Sequence, residues 1–291
     1  MHLVTGRVVL VATPIGNLGD VTIRALDLLR TADWIYAEDT RHSLRLLNAH
    51  GVEARGRLRS LHEHNERDRS KEIVRLAADG AVVAYVSDAG TPGISDPGGE
   101  LVQACVAAEI QIEMLPGANA VLPALVLSGF HTSGFTFYGF LERKGPVRRS
   151  QITSIRSSPV PSVLYESPRR LAATLRELGE ACGFGQPVAV VRELTKLFEQ
   201  VRRGTIAEIL VAIDNDDIPQ RGECVVVVGP AVSDGTQATD PDVVAAEIDA
   251  LLASGMRTRD IADALSVQYS MPKKSVYEIA VVRSKLRLQQ R

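Results

Sequence analysis

The sequence predicts an α/β fold built from two successive domains, followed by a small all-helical appendage. Short apolar runs rich in β-branched residues alternate with segments of helical apolar spacing along most of the chain, an order typical of α/β proteins. A polar, turn-rich stretch from Gly229 to Pro241 interrupts this pattern, and the segments after it are all helical. A chain of 291 residues is long enough for about two domains of ordinary size. We predict α/β domains at 1–116 and 117–230, a linker at 231–241 and a helical domain at 242–291.

The composition bounds the class of protein and its surroundings. Hydrophobic residues make up 45% of the chain and its formal net charge is −2, so any nucleic-acid binding must come from local basic patches. No apolar run approaches the roughly 18 residues that span a bilayer, and the N-terminus leads directly into a strand instead of a signal peptide. The cysteines Cys105, Cys182 and Cys224 are odd in number and widely spaced. These features predict a cytoplasmic protein without a membrane partner, disulfide framework or metal site.

The first domain is predicted to contain strands whose carboxyl ends lead into polar loops. The predicted strands are Arg7–Ala12, Trp34–Ala37, Leu58–Leu61, Ala81–Val86 and Gln111–Met114. Helical spacing resumes from Ile23 and again at Ser43–Ala49, Glu66–Ala78, Glu100–Val106 and Val121–Leu127. Because parallel strands end at the same edge of a sheet, the loops should meet there.

The second domain is predicted to have more hairpin-like strands, and the tail to be helical. Its predicted strands are Phe135–Gly139, Ser162–Tyr165, Pro187–Val191, Phe198–Gly204 and Glu223–Val228, with helices at Leu171–Ala181 and Ile206–Ile213. The tail helices are predicted at Asp242–Ala253, Thr258–Leu265 and from Lys273 to the end. The last two, joined by Ser266–Pro272, have the spacing of a helix-turn-helix; a small packing appendage is the alternative.

The central loop, from Val86 to Gly99, is the strongest candidate binding site. Its sequence V-S-D-A-G-T-P-G-I-S-D-P-G-G lies between a buried strand and a helix, and its glycines allow a ligand to approach the backbone. Asp88 and Asp96 are acceptors suited to ribose hydroxyls or an ammonium group. The alternative is a tight structural turn in which Asp96 caps the following helix.

Other strand-end loops carry weaker signals. The loop Thr13–Asp20 matches no dinucleotide or phosphate-binding pattern. In Glu38–His42, helix capping by Asp39 or Thr40 is as plausible as a functional role. The stretch His62–Arg67 could bind a metal through its histidines and glutamates, but no third ligand group follows, so a hydrogen-bonded polar loop is favoured.

Taken together, these loops resemble the tetrapyrrole-methylase superfamily and, within it, the bacterial methylases of small-subunit ribosomal RNA. The motifs that carry the resemblance are V-A-T-P-I-G-N-L-G-D, A-E-D-T-R-H-S, L-H-E-H-N-E, S-D-A-G-T-P-G-I-S-D-P-G, Y-E-S-P and R-E-L-T-K-L-F-E. It implies a two-domain fold of the tetrapyrrole-methylase type, with S-adenosylmethionine bound between the domains, and a homodimer. The implied reaction is methylation of the ribose 2′-hydroxyl of a cytidine in the decoding region of 16S rRNA, in the assembled small ribosomal subunit.

The resemblance also implies which residues contact the methyl donor. Carried over by motif, they are Pro14, Asp88, Ala89, Gly90, Gly93, Ile94, Ser95, Asp96, Gly117, Ala118, Asn119, Ala120, Tyr165, Glu166, Ser167 and Leu194.

A ribose hydroxyl is a weak nucleophile, so the reaction benefits from a general base or from a cation that lowers the hydroxyl pKa. Glu193 and Lys196 are favoured because they place an acid and a cation on one strand-end loop. The alternatives are Glu38, Asp39, Glu63, Glu66 and Glu166. RNA contacts are expected from Arg41, Arg45, Lys144, Arg148, Arg149, Arg169, Arg170, Arg202 and Arg203.

Two other functions fit parts of the sequence. A methylase of the same superfamily could act on a tetrapyrrole or another small molecule, but such an enzyme needs neither basic clusters nor a helical tail. A regulator without enzymatic activity could bind DNA through Thr258–Arg291, which would leave the donor loops unexplained.

Overall fold

The computed structural model describes residues 6–131, 133–231, 241–268 and 273–289. It divides into two compact units, Met1–Ala231 and Val232–Arg291. Most of the predicted linker, residues 232–240, lies outside the described residues, and the predicted domain boundaries stay predictions. No helix in the described part is long and apolar enough to cross a membrane.

The first sheet is entirely parallel. Its strands are β1 (Arg7–Val11), β2 (Trp34–Ala37), β3 (Leu58–Ser60), β4 (Val82–Val86) and β5 (Gln111–Leu115), in the spatial order β3-β2-β4-β1-β5. All carboxyl ends therefore meet at one edge, where open α/β sheets bind their ligands. The loops after β1 and β4 are joined there by a bridge in which the Thr13 and Gly90 amides each donate to the other's carbonyl, at 2.9 and 3.0 Å.

Helices cover both faces of this sheet because its strands are apolar on both sides. The helices α1 (Ile23–Thr31) and α2 (Thr40–Ala49) pack on the face that presents Val9 and Val11. The helices α3 (Glu66–Ala78) and α4 (Gly99–Ala107) pack on the face that presents Val8 and Leu10. A short 3₁₀ turn at Leu18–Asp20 precedes α1.

The second sheet is mixed, as its hairpin-like strands predict. Its strands are β6 (Thr136–Phe140), β7 (Ser162–Glu166), β8 (Pro187–Arg192), β9 (Gln200–Thr205) and β10 (Cys224–Val228), in the order β6-β7-β10-β8-β9. The last strand, β10, runs antiparallel to both neighbours, so Cys224 pairs with Glu166 on one side and Arg192 on the other. The first residue of β10 consequently lies beside the carboxyl ends of β7 and β8.

The helices of the second half also form two layers. One face of the sheet packs against α6 (Pro146–Arg156), α7 (Pro168–Cys182) and α8 (Ile206–Asp214). The other face packs against α5 (Val121–Ser128), the helix that follows the first sheet. These two sheets with covering helices confirm the predicted α/β class.

The second unit contains α9 (Pro241–Ala253), α10 (Thr258–Gln268) and α11 (Lys273–Gln289). Their apolar core includes Ile248, Ile261 and Val276, and Arg283 pairs with Asp249 at 2.6 Å. The sequence prediction ended α10 at Leu265, whereas the helix continues to Gln268. The predicted connection between the last two helices is therefore shorter, and residues 269–272 lie outside the described part.

Candidate functional site

A cavity of about 510 Å³ lies within the first unit and is lined by residues of both sheets. The first half contributes the loop after β4 and the start of α5; the second half contributes β6, β7, the end of β8 and the start of β10. This volume is in the range of small-molecule sites, about 300–1,000 Å³.

A cluster of three acidic side chains, Glu38, Asp88 and Asp96, lies at one side of the cavity. The carboxylate of Asp88 accepts from the Asp39 amide at 2.9 Å, and that of Glu38 accepts from the Asp88 amide at 3.3 Å. Burial, with the nearby charges of Glu38 and Asp88, raises the pKa of Asp96 to about 7. Burial is also the main cause that raises the pKa of Glu38. Asp96 lines the cavity, and a cation bound beside these carboxylates would stabilise their ionised forms.

The central loop is anchored at its exit by a residue from another segment. One carboxylate oxygen of Glu66 accepts hydrogen bonds from the amides of Gly98, Glu100 and Leu101, at 2.7, 3.0 and 3.4 Å. Glu66 thus satisfies the amides at the start of α4, whose N-cap Gly98 has no side chain to do so. The alternative reading, in which Asp96 caps this helix, is wrong.

Aromatic side chains form the wall contributed by the second sheet. Tyr165 lies against Phe137 and Phe140, with ring centroids 5.0 and 5.5 Å apart. Burial, and secondarily the charge of Asp96, raises the pKa of Tyr165. The cavity therefore joins an apolar aromatic surface to a carboxylate.

The loop between β8 and β9 places a cation beside the cavity. The Lys196 ammonium donates to Glu193 at 3.0 Å and to Glu223 at 2.8 Å, and the Glu223 amide also donates to the Glu193 carboxylate at 2.9 Å. Leu194 and Glu223 line the cavity wall. A Cβ atom on Gly222 would lie 2.3 Å from the Glu193 carboxylate, so the glycine leaves the space that this carboxylate fills.

These contacts fix the charges of the loop. Burial alone would raise the pKa of Glu193, but hydrogen bonds from Lys196 and the Glu223 amide outweigh it and lower that pKa. Burial alone would lower the pKa of Lys196, but bonding to Glu223 and Glu193 raises it. Lys196 is thus held as a cation, and Glu193 is a weaker base than an ordinary glutamate.

The backbone of this loop is strained. Glu193 and Thr195 have φ values of +50° and +64°, a region that β-branched residues such as threonine seldom adopt. The loop after β1 packs against it: the Asn17 amide donates to the Thr195 hydroxyl at 3.2 Å, and a Cβ on Gly16 would lie 2.5 Å from Lys196 Cγ. Such strain is retained where the surroundings over-determine a geometry, which is frequent at functional sites.

The structure brings most of the predicted donor residues to the cavity wall. Those lining it are Ala89, Gly90, Ile94, Ser95, Asp96, Asn119, Ala120, Tyr165, Glu166, Ser167 and Leu194. Five other predicted donor residues, all in the described part of the chain, do not line the cavity: Pro14, Asp88, Gly93, Gly117 and Ala118. Of these, Asp88 supports the loop through Asp39, and Gly117 lies so close to β1 that a Cβ would be 3.0 Å from that of Ala12.

Sequence reasoning missed several residues of the wall. They are Ile15, Thr91, Val121, Leu122, Phe135, Phe137, Phe140, Val191, Gly222, Glu223, Cys224 and Val225. Thr91 was within reach of sequence analysis because it belongs to the central loop. The residues of β10 were not, since nothing local in the sequence indicates which strands it pairs with.

Asp39 and Glu166, two of the alternative candidate bases, have other partners. Asp39 caps α2 and pairs with Arg41, whose hydrogen bonds lower the pKa of that carboxyl. Glu166 is buried, and its two oxygens accept from the Ser167 amide at 2.8 Å and the Thr174 hydroxyl at 2.6 Å. Glu63 is exposed and does not line the cavity. In the predicted polar loop, the His62 amide donates to the Asn65 side chain.

One of the predicted RNA contacts is placed where RNA cannot reach it. Arg148 is only 6% exposed, and its guanidinium donates to Glu177, Thr174 and the Glu142 carbonyl. The prediction for Arg148 was wrong because the packing of α7 brings acceptors on Thr174 and Glu177 to its guanidinium, and the sequence does not locate them. Arg170 is half-buried and pairs with Glu166, while the others are exposed at Arg41, Arg45, Lys144, Arg149, Arg169, Arg202 and Arg203.

Within the described residues, no group of three or more histidine, cysteine, aspartate or glutamate side chains is arranged to hold a metal ion.

Comparisons with known proteins place the chain in a family. Residues 7–210 match the model of the Tetrapyrrole (Corrin/Porphyrin) Methylases. Solved structures share the fold at low identity. Uroporphyrin-III-C-methyltransferase from Thermus thermophilus has a TM-score of 0.54 at 22% identity, covering 78% of this chain and 96% of that one. Diphthine synthase has a TM-score of 0.60 at 15% identity, covering 76% of this chain and 89% of that one. The family match over residues 7–210, with the shared fold, places the chain in the tetrapyrrole-methylase class of methyltransferases.

Curated relatives are much closer in sequence. Ribosomal RNA small subunit methyltransferase I of Synechocystis sp. is 39% identical over 276 residues, 95% of this chain and 98% of that protein. The protein of the same name from Bacillus subtilis is 37% identical over 277 residues, 94% of this chain and 93% of that protein. The chain belongs to the ribosomal RNA small subunit methyltransferase I family, within the tetrapyrrole methylases.

Proposed function

We propose that this enzyme transfers a methyl group from S-adenosylmethionine to the ribose 2′-hydroxyl of a cytidine in the decoding region of 16S rRNA, within the assembled small ribosomal subunit. The observation that carries the proposal is that one cavity is lined by Asp96, by the aromatic cluster at Tyr165 and by the loop that holds Lys196. The names of the curated relatives support the ribosomal substrate.

The cavity residues fit the chemistry of this donor. The adenine ring of the donor is flat and apolar on its faces, which suits the aromatic wall. The donor's ribose hydroxyls and its positively charged sulfonium and amino groups suit the carboxylate of Asp96 and its acidic neighbours Glu38 and Asp88. The wall also has small residues, Ala89, Gly90 and Ser95, that leave backbone groups accessible. When bound, the donor supplies an electrophilic methyl group.

On this proposal, the protein mainly positions and polarises the reacting groups. Holding two reactants in line is a large contribution, up to about 7–11 kcal/mol of the barrier. We propose that Lys196, kept charged by Glu193 and Glu223, stabilises negative charge that develops on the attacking ribose oxygen. Glu193 then acts through Lys196 as a positioning residue and not as the base. As the oxygen–methyl bond forms, the sulfur–methyl bond breaks to leave S-adenosylhomocysteine, and the hydroxyl proton passes to solvent water.

We also propose that the protein acts in the cytoplasm, where small ribosomal subunits are found, and forms a homodimer. The second point rests on the resemblance of the sequence to its family. Sedimentation velocity tests the oligomeric state directly. We expect the weight of two chains.

The anchoring role of Glu66 leads to a prediction about the donor site. Glu66→Ala leaves three amides at the start of α4 without their acceptor. We expect the free energy of unfolding to fall by about 3 kcal/mol, and S-adenosylmethionine affinity, measured by calorimetry, to fall about tenfold. Glu66→Gln keeps an acceptor oxygen and should recover most of both.

The matched control is Glu63→Ala, which removes an exposed carboxylate three residues earlier. It should leave stability and donor binding unchanged. If Glu66→Ala binds the donor as well as the wild type does, the exit of the central loop does not shape the donor site.

The experiment that tests the proposed function is methyl transfer from radiolabelled S-adenosylmethionine to small ribosomal subunits that lack the modification. Free 16S rRNA and a tetrapyrrole precursor serve as parallel acceptors. We expect label on a cytidine ribose of the subunit. Label on the tetrapyrrole alone would support the alternative, a small-molecule methylase, for which the fold likeness to uroporphyrin-III-C-methyltransferase is the observation in favour.

A further inference from the structure

Two large apolar side chains project from the loop between β8 and β9 without apolar cover. Leu197 is 90% exposed and Phe198 is 68% exposed. We call this adjacent pair the loop tip. Exposed apolar side chains that are contiguous, next to a candidate site, commonly mark a surface for binding.

The backbone beneath the loop tip is held firmly. The Phe198 carbonyl accepts from the buried guanidinium of Arg192 at 3.2 Å, and that guanidinium also donates to the Pro219 and Arg221 carbonyls. The Thr195 amide donates to the Glu199 carboxylate at 2.7 Å, and the Glu199 amide donates to the Lys196 carbonyl at 3.1 Å. The exposure of the loop tip is thus a property of an ordered loop.

The loop tip follows a residue of the cavity wall closely along the chain. Within five residues the loop passes from Leu194, in the cavity wall, through Lys196 to Leu197 and Phe198. A nucleotide whose ribose reaches the cavity would have its base, or the base next to it, beside this tip. The strand that follows the tip, β9, carries exposed cations at Arg202 and Arg203, which point to opposite faces because they are consecutive in the strand. Arg203 donates to the Leu127 carbonyl at 2.7 Å, so Arg202 is the cation that suits a phosphate of the same RNA segment.

We infer that the loop tip is a contact surface for an unpaired base of the substrate RNA, with the ring of Phe198 stacking on the base and Leu197 extending the apolar surface. The inference rests on the proposed function and names a part of the substrate site. Proteins that bind single-stranded RNA combine such aromatic platforms with nearby cations.

The test compares methylation kinetics on small ribosomal subunits that lack the modification. For Phe198→Ala we expect KM for the subunit to rise about tenfold, because one stacked base contributes roughly that factor or more. Affinity for S-adenosylmethionine, measured by calorimetry, should stay at the wild-type value. Phe198→Trp keeps a stacking face and should retain a low KM. The control Val106→Ala removes a comparably exposed apolar side chain on α4, outside the cavity wall, and should leave KM unchanged.

Other outcomes overturn the inference in distinguishable ways. An unchanged KM for Phe198→Ala, with an active wild type, would show that the loop tip does not bind an RNA base, and it would leave the proposed function intact. A KM change accompanied by a change of oligomeric state in sedimentation would assign the tip to contact with a second copy of the chain. A wild type that methylates no ribosomal acceptor defeats the proposed function itself.

Discussion

Asp96→Asn should weaken S-adenosylmethionine binding by about 30-fold while making the free protein more heat-stable at pH 8. A hydrogen bond to a charged group contributes about 2 kcal/mol, and the amide removes both the charge and part of the acceptor capacity. Calorimetric titration measures the first effect, and the melting temperature of the unliganded protein measures the second.

The pH dependence follows from the pKa of Asp96, which burial raises to about 7 from an ordinary value of 3.8. In the wild type, donor affinity should rise with pH between 6 and 8, because the carboxylate attracts the cationic donor only when ionised. The unfolded chain ionises this group at lower pH than the native protein does, so Asp96 costs stability progressively from pH 3.8 to 7 and fully above that range. The stability gain of Asp96→Asn should therefore be present at pH 8 and disappear toward pH 4.

The matched control is Asp79→Asn, which alters an exposed carboxylate at the end of α3. It should change neither donor affinity nor its pH dependence. Donor binding by Asp96→Asn at wild-type strength, with the wild-type pH profile, would show that the carboxylate does not contact the donor.

Lys196→Ala should lower kcat on small ribosomal subunits by about 100-fold, the usual effect of removing one group that stabilises developing charge. Because Lys196 is bonded to Glu193 and Glu223 and its side chain is not in the cavity wall, donor affinity should change little. Single-turnover methylation with saturating donor and subunit isolates this step from binding.

Glu193→Gln distinguishes a positioning role from that of a base. If Glu193 only holds and charges Lys196, the amide should cost much less than loss of the lysine, and its effect should largely vanish in the Lys196→Ala background. Full turnover by Lys196→Ala would remove the lysine from the mechanism. A loss for Glu193→Gln as large as that for Lys196→Ala, and additive with it, would instead assign the proton acceptor to Glu193.

The positions of the strands and of the loops that carry the candidate donor site could be predicted from local sequence. Runs such as Val82–Val86 are apolar on both faces and are followed by glycines and acids, so their burial and their strand ends are readable without a partner. The same holds for the central loop, where Gly90 has a φ of +82° that glycine adopts without strain. Local chemistry determines these features because each depends on residues close together in the chain.

Other features depend on contacts between distant segments. The sequence suggested Glu66 as a base, but a carboxylate 32 residues before Gly98 became the acceptor for the start of α4 only when α3 packed beside it. Arg148 likewise belongs to a basic stretch by sequence, and it is buried because α7 places Thr174 and Glu177 within reach.

The sequence by itself determined the α/β class, the family and the loops that carry the candidate donor site. Only the tertiary structure decided that β10 inserts between β7 and β8 and runs antiparallel to both. That direction brings the beginning of β10 to the carboxyl ends of its neighbours. Glu223 therefore accepts a hydrogen bond from Lys196, and Gly222 lies against the Glu193 carboxylate. The order and direction of these strands depend on contacts between segments far apart in the chain, so the residues of β10 alone do not specify them.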